Sequence, residues 1–509
     1  MSRHQSANLF DLIASRAPHP DKPALETGDA TALTYGELIE RSAQAANALV
    51  RLRVKPGDRV AAQIDKSTDM IVLALACLRA GAVLLPLNTA YTLAELEYFL
   101  GDAEPALTLC RPDSLEPVRA LARKLNLRAV ESLGTKRDGT FAAAVAAAPS
   151  GFQTVPRASS DLAAILYTSG TTGRSKGAML THENLTSNAL TLVDCWRFTA
   201  ADRLIHALPV FHTHGLFVAV NVALLAGTTM IYMARFDADA VIAALPQATA
   251  MMGVPTFYTR LLDHPGLTRE ACANMRLFVS GSAPLLAETH AAWRARTGFA
   301  ILERYGMTET NMITSNPYDG ERRPGTVGLA LPGVSARIAS PESGAPVRDG
   351  EIGIIEVKGP NVFAGYWRMP DKTAQEFRPD GYFITGDLAR VDRDGYIHIV
   401  GRAKDLVISG GFNVYPKEVE TEIDAIEGVL ESAVFGVTHA DFGEGVTAAV
   451  VPRSGAALSE QAILSALTGR IAKFKTPKRV ILVDSLPRNA MGKVQKAALR
   501  EAYKDIYRG

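Results

Sequence analysis

The order of the apolar segments restricts the fold of this chain more than any other feature. Up to about residue 350, segments typical of buried strands alternate with segments typical of helices. RVAAQI at Arg59–Ile64 predicts a strand, the apolar stretch Ser67–Ala80 a helix, and AVLLPL at Ala82–Leu87 a further strand. A second set of this kind runs from Asp161 to about Ala300. Since alternation of strands and helices is typical of parallel sheets with crossover helices, we expect an α/β fold.

Local signals mark where the elements begin and turn. The pairs Thr34/Glu37 and Thr92/Glu95 both have the Thr-x-x-Glu spacing of a capping box, which predicts a helix start. From about Glu351 the segments become short and rich in turns, and the pairs Asp380-Gly381 and Asp394-Gly395 indicate hairpins. We therefore expect a small β-rich subdomain after the parallel sheets.

The length of 509 residues is too great for one ordinary core. The pattern changes again after Gly401-Arg402, towards a small α+β unit in which acidic residues predominate over 405–469 and basic ones over 470–509. We predict a large N-terminal domain over residues 1–403 and a small, mobile C-terminal domain over residues 404–509, with the boundary at Lys404.

The charge balance excludes a long polyanion as the main partner. The chain has 54 Lys and Arg residues against 53 Asp and Glu, a net charge of +1, so nucleic acid is not expected. The uncharged run from Gly215 to Ala234 is interrupted by Asn221 and Gly227, which favours a buried helix, a turn and a strand over a membrane span. The four cysteines lack metal-binding spacing, so we expect free thiols, a reducing compartment and a cytoplasmic location; they are Cys77, Cys110, Cys195 and Cys272.

The densest cluster of chemically useful residues is LYTSGTTGRSKG at residues 166–177. Its glycines allow backbone N–H groups to converge, its hydroxyls add donors and its lysine adds charge, which together predict a phosphate-binding loop. The candidate ligands are Thr168, Ser169, Gly170, Thr171, Thr172, Gly173 and Lys176. The loop is not a Walker A sequence, and the alternatives are a surface turn or a hydrolase G-x-S-x-G at Gly173–Gly177, which lacks the strand directly before its serine.

Three further segments have a pattern that suits a nucleotide. In ERYGMTET, Tyr305 offers a flat face to a base, while Thr308 and Glu309 offer the hard oxygen ligands that Mg²⁺ prefers. Asp387 in FITGD and Arg402 in GR suit a ribose diol, although a hairpin salt bridge is the alternative. In LPRNAMGKVQK, Lys493 follows a glycine on an exposed loop and could reach a neighbouring site or remain a surface lysine.

Taken in order along the chain, YTSGTTGRSKG, RYGMTE, TGD, GRAKD and LPRNAMGKVQK resemble the adenylate-forming acyl-CoA synthetase superfamily over essentially the whole sequence. Within it, IHALPVFHTHGLF, MGVPTFYTR, SGSAPL and SGGFNVYPKEVE most resemble bacterial members that act on malonate. The resemblance implies an enzyme in which a carboxylate attacks ATP to give acyl-AMP and pyrophosphate, and coenzyme A then displaces AMP. It implies small-molecule partners and a monomer or weak homo-oligomer.

The resemblance also implies roles for individual residues. Thr168–Lys176 would bind the β- and γ-phosphates, Tyr305 and Gly281-Ser282-Ala283 would flank adenine, and Thr308 and Glu309 would bind Mg²⁺. Lys493 would act in the first step, and rotation about a hinge at Lys404 would then exchange it for the coenzyme A turn. The residues expected at coenzyme A are Ser409, Gly410, Gly411 and Lys475.

A malonate enzyme needs a cation for the second carboxylate, because an unpaired buried charge is costly. The candidates between residues 206 and 310 are His206, His212, His214, Arg235, Arg260, Arg276 and Arg304. We favour Arg235 and then Arg276, and expect His206, which is also a catalytic candidate, together with His212, Ser280 and Met307 to line the pocket. The alternatives are methylmalonate or another short-chain or aromatic acid as substrate, and a non-catalytic nucleotide-binding scaffold. Zinc at the three histidines is disfavoured because a fourth ligand is lacking.

Overall fold

The computed structural model describes residues 6–28, 32–168, 175–410, 412–489 and 492–508. The chain forms two compact units, of which the first comprises Met1–Ser335 and Val357–Phe383 and the second comprises Ala336–Glu356 and Ile384–Gly509. The domain boundary and hinge at Lys404 stay a prediction.

The first unit alternates helices and strands, as expected for an α/β fold. Its strands are β1 (Pro23–Thr27), β2 (Ala32–Thr34), β3 (Arg59–Gln63), β4 (Val83–Pro86), β5 (Leu107–Cys110), β6 (Val130–Ser132), β7 (Leu162–Thr168), β8 (Lys176–Thr181), β9 (Arg203–His206), β10 (Thr229–Tyr232), β11 (Ala250–Gly253), β12 (Leu277–Ser280), β13 (Leu302–Met307), β14 (Asn311–Ser315) and β15 (Leu329–Ala330). Its helices are α1 (Leu9–Arg16), α2 (Tyr35–Arg51), α3 (Thr68–Ala80), α4 (Leu93–Ala103), α5 (Leu115–Lys124), α6 (Thr140–Ala146), α7 (His182–Cys195), α8 (Asn221–Ala226), α9 (Ala238–Ala244), α10 (Pro255–Leu262), α11 (Ala287–Thr297) and α12 (Pro370–Gln375).

Two large sheets organise this unit. One is nine-stranded, in the order β15-β14-β13-β12-β11-β9-β10-β1-β2, and the other six-stranded, in the order β6-β5-β3-β4-β7-β8. From β13 to β1 and from β6 to β7 every pairing is parallel. The antiparallel strands are β2, β8, β14 and β15. The prediction of mostly parallel sheets with crossover helices is therefore confirmed.

The local signals act as expected. Thr34 and Thr92 both form capping boxes, in which the threonine hydroxyl accepts a hydrogen bond from the backbone N–H three residues later and the glutamate side chain accepts one from the threonine N–H. The uncharged run is a buried π-helical segment at His214–Val220, followed by α8, Gly227 in the left-handed region and β10. Within the part of the chain that the structure describes, no helix is both long and apolar enough to cross a bilayer. The four cysteines are free thiols.

The second unit consists of a four-stranded sheet, most of whose residues belong to it, and a five-stranded sheet with helices. Its elements are β16 (Ser335–Ala339), β17 (Gly353–Lys358), β18 (Phe383–Val391), β19 (Ile397–Arg402), β20 (Val407–Ser409), β21 (Phe412–Val414), α13 (Pro416–Asp424), β22 (Val429–His439), β23 (Gly443–Pro452), α14 (Glu460–Leu467), β24 (Arg479–Leu482) and α15 (Lys496–Ala502). The first sheet has the order β16-β17-β18-β19, and Asp394-Gly395 lies in the turn between its antiparallel strands β18 and β19. The β-rich segment and the α+β arrangement are both as predicted.

The core beneath the nine-stranded sheet is closed by a large aromatic side chain. Trp293 on α11 is fully buried and lies edge-on to Tyr258 and Phe278, with ring centroids 4.9 Å from each. All three rings are fully buried, so removal of the indole would leave an empty space inside the core.

Trp293→Ala should lower the free energy of unfolding by about 3–5 kcal/mol, because it removes buried apolar area and leaves a cavity. Chemical denaturation followed by circular dichroism measures the loss. Leu93→Ala, at an exposed position of α4, is the control and should change stability by less than about 0.5 kcal/mol. Equal effects of the two variants would contradict this account of the core.

Candidate functional site

The candidate residues of the first unit gather where four parallel strands end. In the register of the nine-stranded sheet, His206 of β9 lies opposite Met252 of β11, and Ser280 of β12 lies opposite both Gly253 of β11 and Glu303 of β13. Because these strands are parallel, their carboxyl ends meet at one edge, where open α/β sheets bind ligands. The segments after β9, β12 and within β13 carry most of the predicted site residues.

Arg304 on β13 is a buried cation without a partner. Its side chain is 3% exposed, and its Nε and Nη2 atoms make no hydrogen bond within the described residues. A Cβ atom on Gly281 would lie 2.4 Å from the guanidinium carbon, so the glycine makes room for this side chain. Burial lowers the pKa of Arg304 to about 9, which still leaves it charged at neutral pH. A buried charge of this kind calls for an anion, and the described residues do not supply one.

Other buried polar groups of the same edge also lack partners. His214 Nδ1 lies 3.2 Å from Ser282 Oγ, but His214 Nε2 makes no hydrogen bond within the described residues, and the same holds for Ser280 Oγ and Asn311 Nδ2. Burial, then the neighbouring Arg304, lowers the pKa of His214, so its imidazole is neutral. Ser282 has a φ of +71°, a left-handed conformation that costs energy for a non-glycine residue and occurs most often at functional sites. Together these groups give this edge a set of buried polar atoms that suits a small polar ligand, and we call this set the polar pocket.

His206, at the end of β9, has partners for both of its ring nitrogens. Its Nδ1 atom accepts a hydrogen bond of 2.9 Å from Lys66 Nζ, and its Nε2–H donates one of 2.8 Å to the Gly215 carbonyl. Since the lysine can only donate, this fixes the tautomer of the imidazole. Burial, then Lys66, lowers its pKa to about 3. Both ring nitrogens are occupied, so His206 anchors the π-helical segment; a direct role at the substrate stays a prediction.

The two arginines favoured from sequence are not buried cations of this pocket. Arg235 is exposed, as is Arg260. Arg276 Nε and Nη2 bind the two carboxylate oxygens of Asp202, at 2.7 and 2.8 Å. Arg276 precedes β12 and so lies at the amino end of the strand, away from the edge at which the ligand groups gather. Arg304 is the candidate that combines burial, charge and the lack of a counter-ion.

The phosphate-loop candidates divide between described and undescribed residues. Ser169–Arg174 lie outside the described residues, whereas Thr168 at the end of β7 and Lys176 at the start of β8 are described and pair across the strands. Lys176 Nζ lies 2.8 Å from Glu376 Oε1 and 3.9 Å from the centre of the Tyr366 ring. Thr168 Oγ1 donates a hydrogen bond of 3.3 Å to Glu309 Oε1.

Glu309 fits a hard cation. It is buried, its Oε1 atom accepts from Thr168 and Tyr366 hydroxyls, and burial raises its pKa. No group of three or more His, Cys, Asp or Glu side chains suited to a metal occurs in the described ranges. A magnesium ion here would therefore take most of its ligands from water and a bound phosphate chain, as Mg²⁺ commonly does. Tyr305, Met307 and Thr308 are half-buried beside it in the chain.

The second unit brings together three other predicted residues. Asp387 lies opposite Arg402 in the antiparallel pairing of β18 and β19, with Arg402 Nε 3.0 Å from Asp387 Oδ1. Both residues act electrostatically on Lys493. Burial and then Arg402 lower the pKa of Lys493 to about 8, whereas Asp387 raises it. Lys404 also lowers it. The second unit thus holds three basic groups, Arg402, Lys404 and Lys493, together with the carboxylates of Asp387 and Asp405.

The residues predicted for coenzyme A lie in the same unit. Ser409 ends β20 and is buried, Gly410 has a φ of +59°, and Gly411 lies outside the described residues. Lys475 Nζ is 2.5 Å from Glu418 Oε1, so this lysine has a carboxylate partner on α13. Its role towards a phosphate stays a prediction.

Comparison with known proteins agrees with this arrangement. The chain matches the family described as AMP-binding enzyme over residues 13–367 and the AMP-binding enzyme C-terminal domain over residues 418–493. The chain belongs to the AMP-binding enzyme family. Curated relatives include a feruloyl-CoA synthase of Amycolatopsis sp, 38% identical over 98% of this chain and 100% of the relative. A malonate–CoA ligase of Arabidopsis thaliana is 35% identical over 88% of this chain and 78% of the relative.

Solved structures support the same assignment to the AMP-binding enzymes. ATP-bound MatB from Rhodopseudomonas palustris is 61% identical to this chain, with a TM-score of 0.97 over 99% of this chain and 100% of that one. The prediction of an adenylate-forming fold is confirmed.

Sequence reasoning did not favour Arg304 and His214 among its candidates and did not name Lys66 and Glu376 at all. Arg304 is one of the seven cationic candidates, and its position within a strand of the ligand edge is the signal that favours it. His214 stood in the same HTHG segment as His212. Lys66 and Glu376 had no usable signal, because their partners His206 and Lys176 lie 140 and 200 residues away.

Arg276→Ala should lower the free energy of unfolding by about 3–5 kcal/mol, because it leaves the buried Asp202 carboxylate unpaired. Thermal or urea denaturation measures this loss. Arg235→Ala, at an exposed arginine, should stay within about 0.5 kcal/mol. A stable Arg276→Ala protein would show that the ion pair does not support the fold.

Proposed function

We propose that this AMP-binding enzyme is an ATP-dependent ligase that activates malonate as malonyl-AMP and transfers the malonyl group to coenzyme A, releasing AMP and pyrophosphate. The motif resemblance over the whole chain and the malonate–CoA ligase relative support this proposal. The observation that carries the choice of substrate is Arg304, a buried guanidinium whose Nε and Nη2 atoms make no hydrogen bond within the described residues.

A second carboxylate is the group that best fits this environment. The distal carboxylate of malonate would neutralise Arg304 and accept hydrogen bonds from it, which are strong because both partners are charged. Ferulate, the acid named for a relative of 38% identity, would leave the guanidinium unpaired in an apolar contact. Ser280 Oγ and His214 Nε2 of the polar pocket also lack partners within the described residues, and they would fix the orientation of the acid.

The nucleotide roles follow the sequence predictions. Thr168–Lys176 would bind the β- and γ-phosphates, Tyr305 and Gly281–Ala283 would flank adenine, and Asp387 with Arg402 would hold the ribose. Thr308 and Glu309 would hold Mg²⁺, for which a buried carboxylate with hydroxyl neighbours is a fitting donor set. Bound there, the ion would screen the negative charge of the triphosphate.

The first step joins a carboxylate to a phosphate, so its barrier is largely electrostatic repulsion. One well-placed cation can lower such a barrier by about 3–4 kcal/mol, or 10²–10³-fold in rate. We assign this role to Lys493. In the second step the coenzyme A thiol needs space, which the turn at Ser409–Gly411 would supply after movement about Lys404, with Lys475 near the coenzyme A phosphates.

Arg304→Met should raise the KM for malonate at least 100-fold while sparing or improving acetate, because only the dicarboxylate loses a charged partner. Pyrophosphate release with malonate, methylmalonate, acetate and ferulate measures this. Arg294→Met is the matched control, since it makes the same substitution at an exposed arginine of α11, and it should leave the malonate KM within about twofold. An equal loss on acetate and malonate would show a structural role for Arg304, and wild-type preference for ferulate would overturn the proposed substrate.

The pH dependence of the first step should report Lys493. The lysine acts as a cation, and its pKa is lowered to about 8, so the rate of malonyl-AMP formation should fall as the pH rises through about 8. Thioester formation from preformed malonyl-AMP should not fall over this range, because a higher pH yields more thiolate. Rapid-quench assays of each half-reaction measure this. Lys493→Ala should lose most of the rate of malonyl-AMP formation and keep thioester formation. The residual rate of malonyl-AMP formation should no longer fall as the pH rises through about 8. If it still falls, another group causes the pH dependence.

A further inference from the structure

The lysine of the phosphate loop has a carboxylate partner that sequence analysis did not identify. Lys176 Nζ lies 2.8 Å from Glu376 Oε1, and both side chains are mostly buried, at 13% and 20% exposed. Glu376 follows α12 in the first unit, 200 residues along the chain from Lys176. The pair is thus a tertiary contact that brings a negative charge to a group expected to bind phosphate.

Glu376 is held from several directions at once. Its Oε2 atom accepts a hydrogen bond of 2.7 Å from the Tyr366 hydroxyl, and its Oε1 atom also lies 3.1 Å from Lys372 Nζ. Burial raises the pKa of Tyr366, so the phenol remains a donor. If Lys176 left this carboxylate, Tyr366 and Lys372 would still satisfy it. The lysine can therefore exchange partners without leaving an unpaired buried charge.

Tyr366 also connects Glu376 to the candidate magnesium ligand. Its hydroxyl lies 3.1 Å from Glu309 Oε1 as well as 2.7 Å from Glu376 Oε2. One hydroxyl hydrogen can serve only one of these carboxylates fully at a time. Loss of Lys176 from Glu376 would favour donation to Glu376, while a cation at Glu309 would reduce the need of that carboxylate for a donor.

We propose that Glu376 is a positioning residue that competes with bound phosphates for the Lys176 ammonium, weakens the binding of ATP and pyrophosphate, and so speeds pyrophosphate release. This inference rests on the proposed function, in which Lys176 binds the β- and γ-phosphates. Those two phosphates leave as pyrophosphate after the first step, so a lysine that had no other partner would retain the product as firmly as it binds the substrate. Where product release limits turnover, a more tightly held pyrophosphate slows the enzyme.

Glu376→Gln tests the competition, because it removes the charge and keeps the shape. In the full-length enzyme it should lower the inhibition constant of pyrophosphate and the KM for ATP about 3- to 10-fold, the range expected for one partly buried ion pair. The inhibition constant of AMP should not change, since AMP lacks both phosphates. Unchanged pyrophosphate inhibition would overturn the proposal, and weaker inhibition would show instead that Glu376 orients Lys176 towards phosphate.

A double-mutant cycle with Lys176→Met separates an effect through the lysine from one of charge alone. If Glu376 acts through Lys176, the Glu376→Gln change should disappear in the Lys176→Met background. Persistence of the change would overturn the positioning role. Should Lys176→Met alone leave ATP and pyrophosphate affinity unaltered, the phosphate role in the proposed function fails, which is a different result from failure at Glu376.

Two further variants guard against misfolding and non-specific charge effects. Glu376→Asp keeps the charge and should retain most of the wild-type pyrophosphate inhibition. Glu116→Gln removes another carboxylate of the first unit, one that pairs with Arg119 on the exposed face of α5, and should leave all three constants unchanged. Circular dichroism and AMP inhibition confirm that each variant is folded.

Discussion

The parallel pairing of β9, β11, β12 and β13 is the constraint on which the rest of the site depends. Parallel strands run in one direction, so the residues that follow them collect at one edge, where backbone groups no longer pair within the sheet. His206, Ser280 and Glu303 reach this edge from three strands that are distant in sequence. The polar pocket is therefore a consequence of topology, and its residues could not be brought together by any local element.

Arg304 stands out because two of its guanidinium nitrogens are buried without a partner in the described residues, whereas Arg41 and Arg79 each have one such nitrogen. Arg276 and Asp202 neutralise each other in a bidentate contact, and Arg79 donates to the carbonyls of Ile39 and Phe152. Arg79 Nε and His182 Nε2 also lack partners in the described residues, so an unpaired nitrogen alone does not mark a ligand site. Each such group costs the folded protein roughly 1–3 kcal/mol until it is satisfied. Arg304 combines two such nitrogens with a position on a strand of the ligand edge, and this combination favours it as a binding group.

The sequence predicted helix starts and strand positions best where the residues that determine them are close together in the chain. Thr34 and Thr92 begin helices because their partners are three residues away, and β3 and β4 lie within the apolar segments Arg59–Ile64 and Ala82–Leu87 that predict them. It also predicted that Asp387 and Arg402 would meet, because both stand at the ends of adjacent hairpin strands. Residue type does not reveal at which end of a strand a side chain lies: Arg276 precedes β12 and pairs with Asp202, and its role at the substrate stays a prediction.

Two cations of the first unit, Arg304 and Lys176, differ in whether the described residues supply a carboxylate partner. The roles proposed for them give a reason for this difference. Arg304 has no carboxylate partner within the described residues, so its charge is available to select an acid with a second negative group. Lys176 has Glu376, so its charge is balanced by a partner inside the fold when no phosphate is bound. A selecting group gains from having no alternative partner, because specificity depends on the penalty for the wrong ligand. A group that must also let its ligand go gains from a competitor held 2.8 Å away.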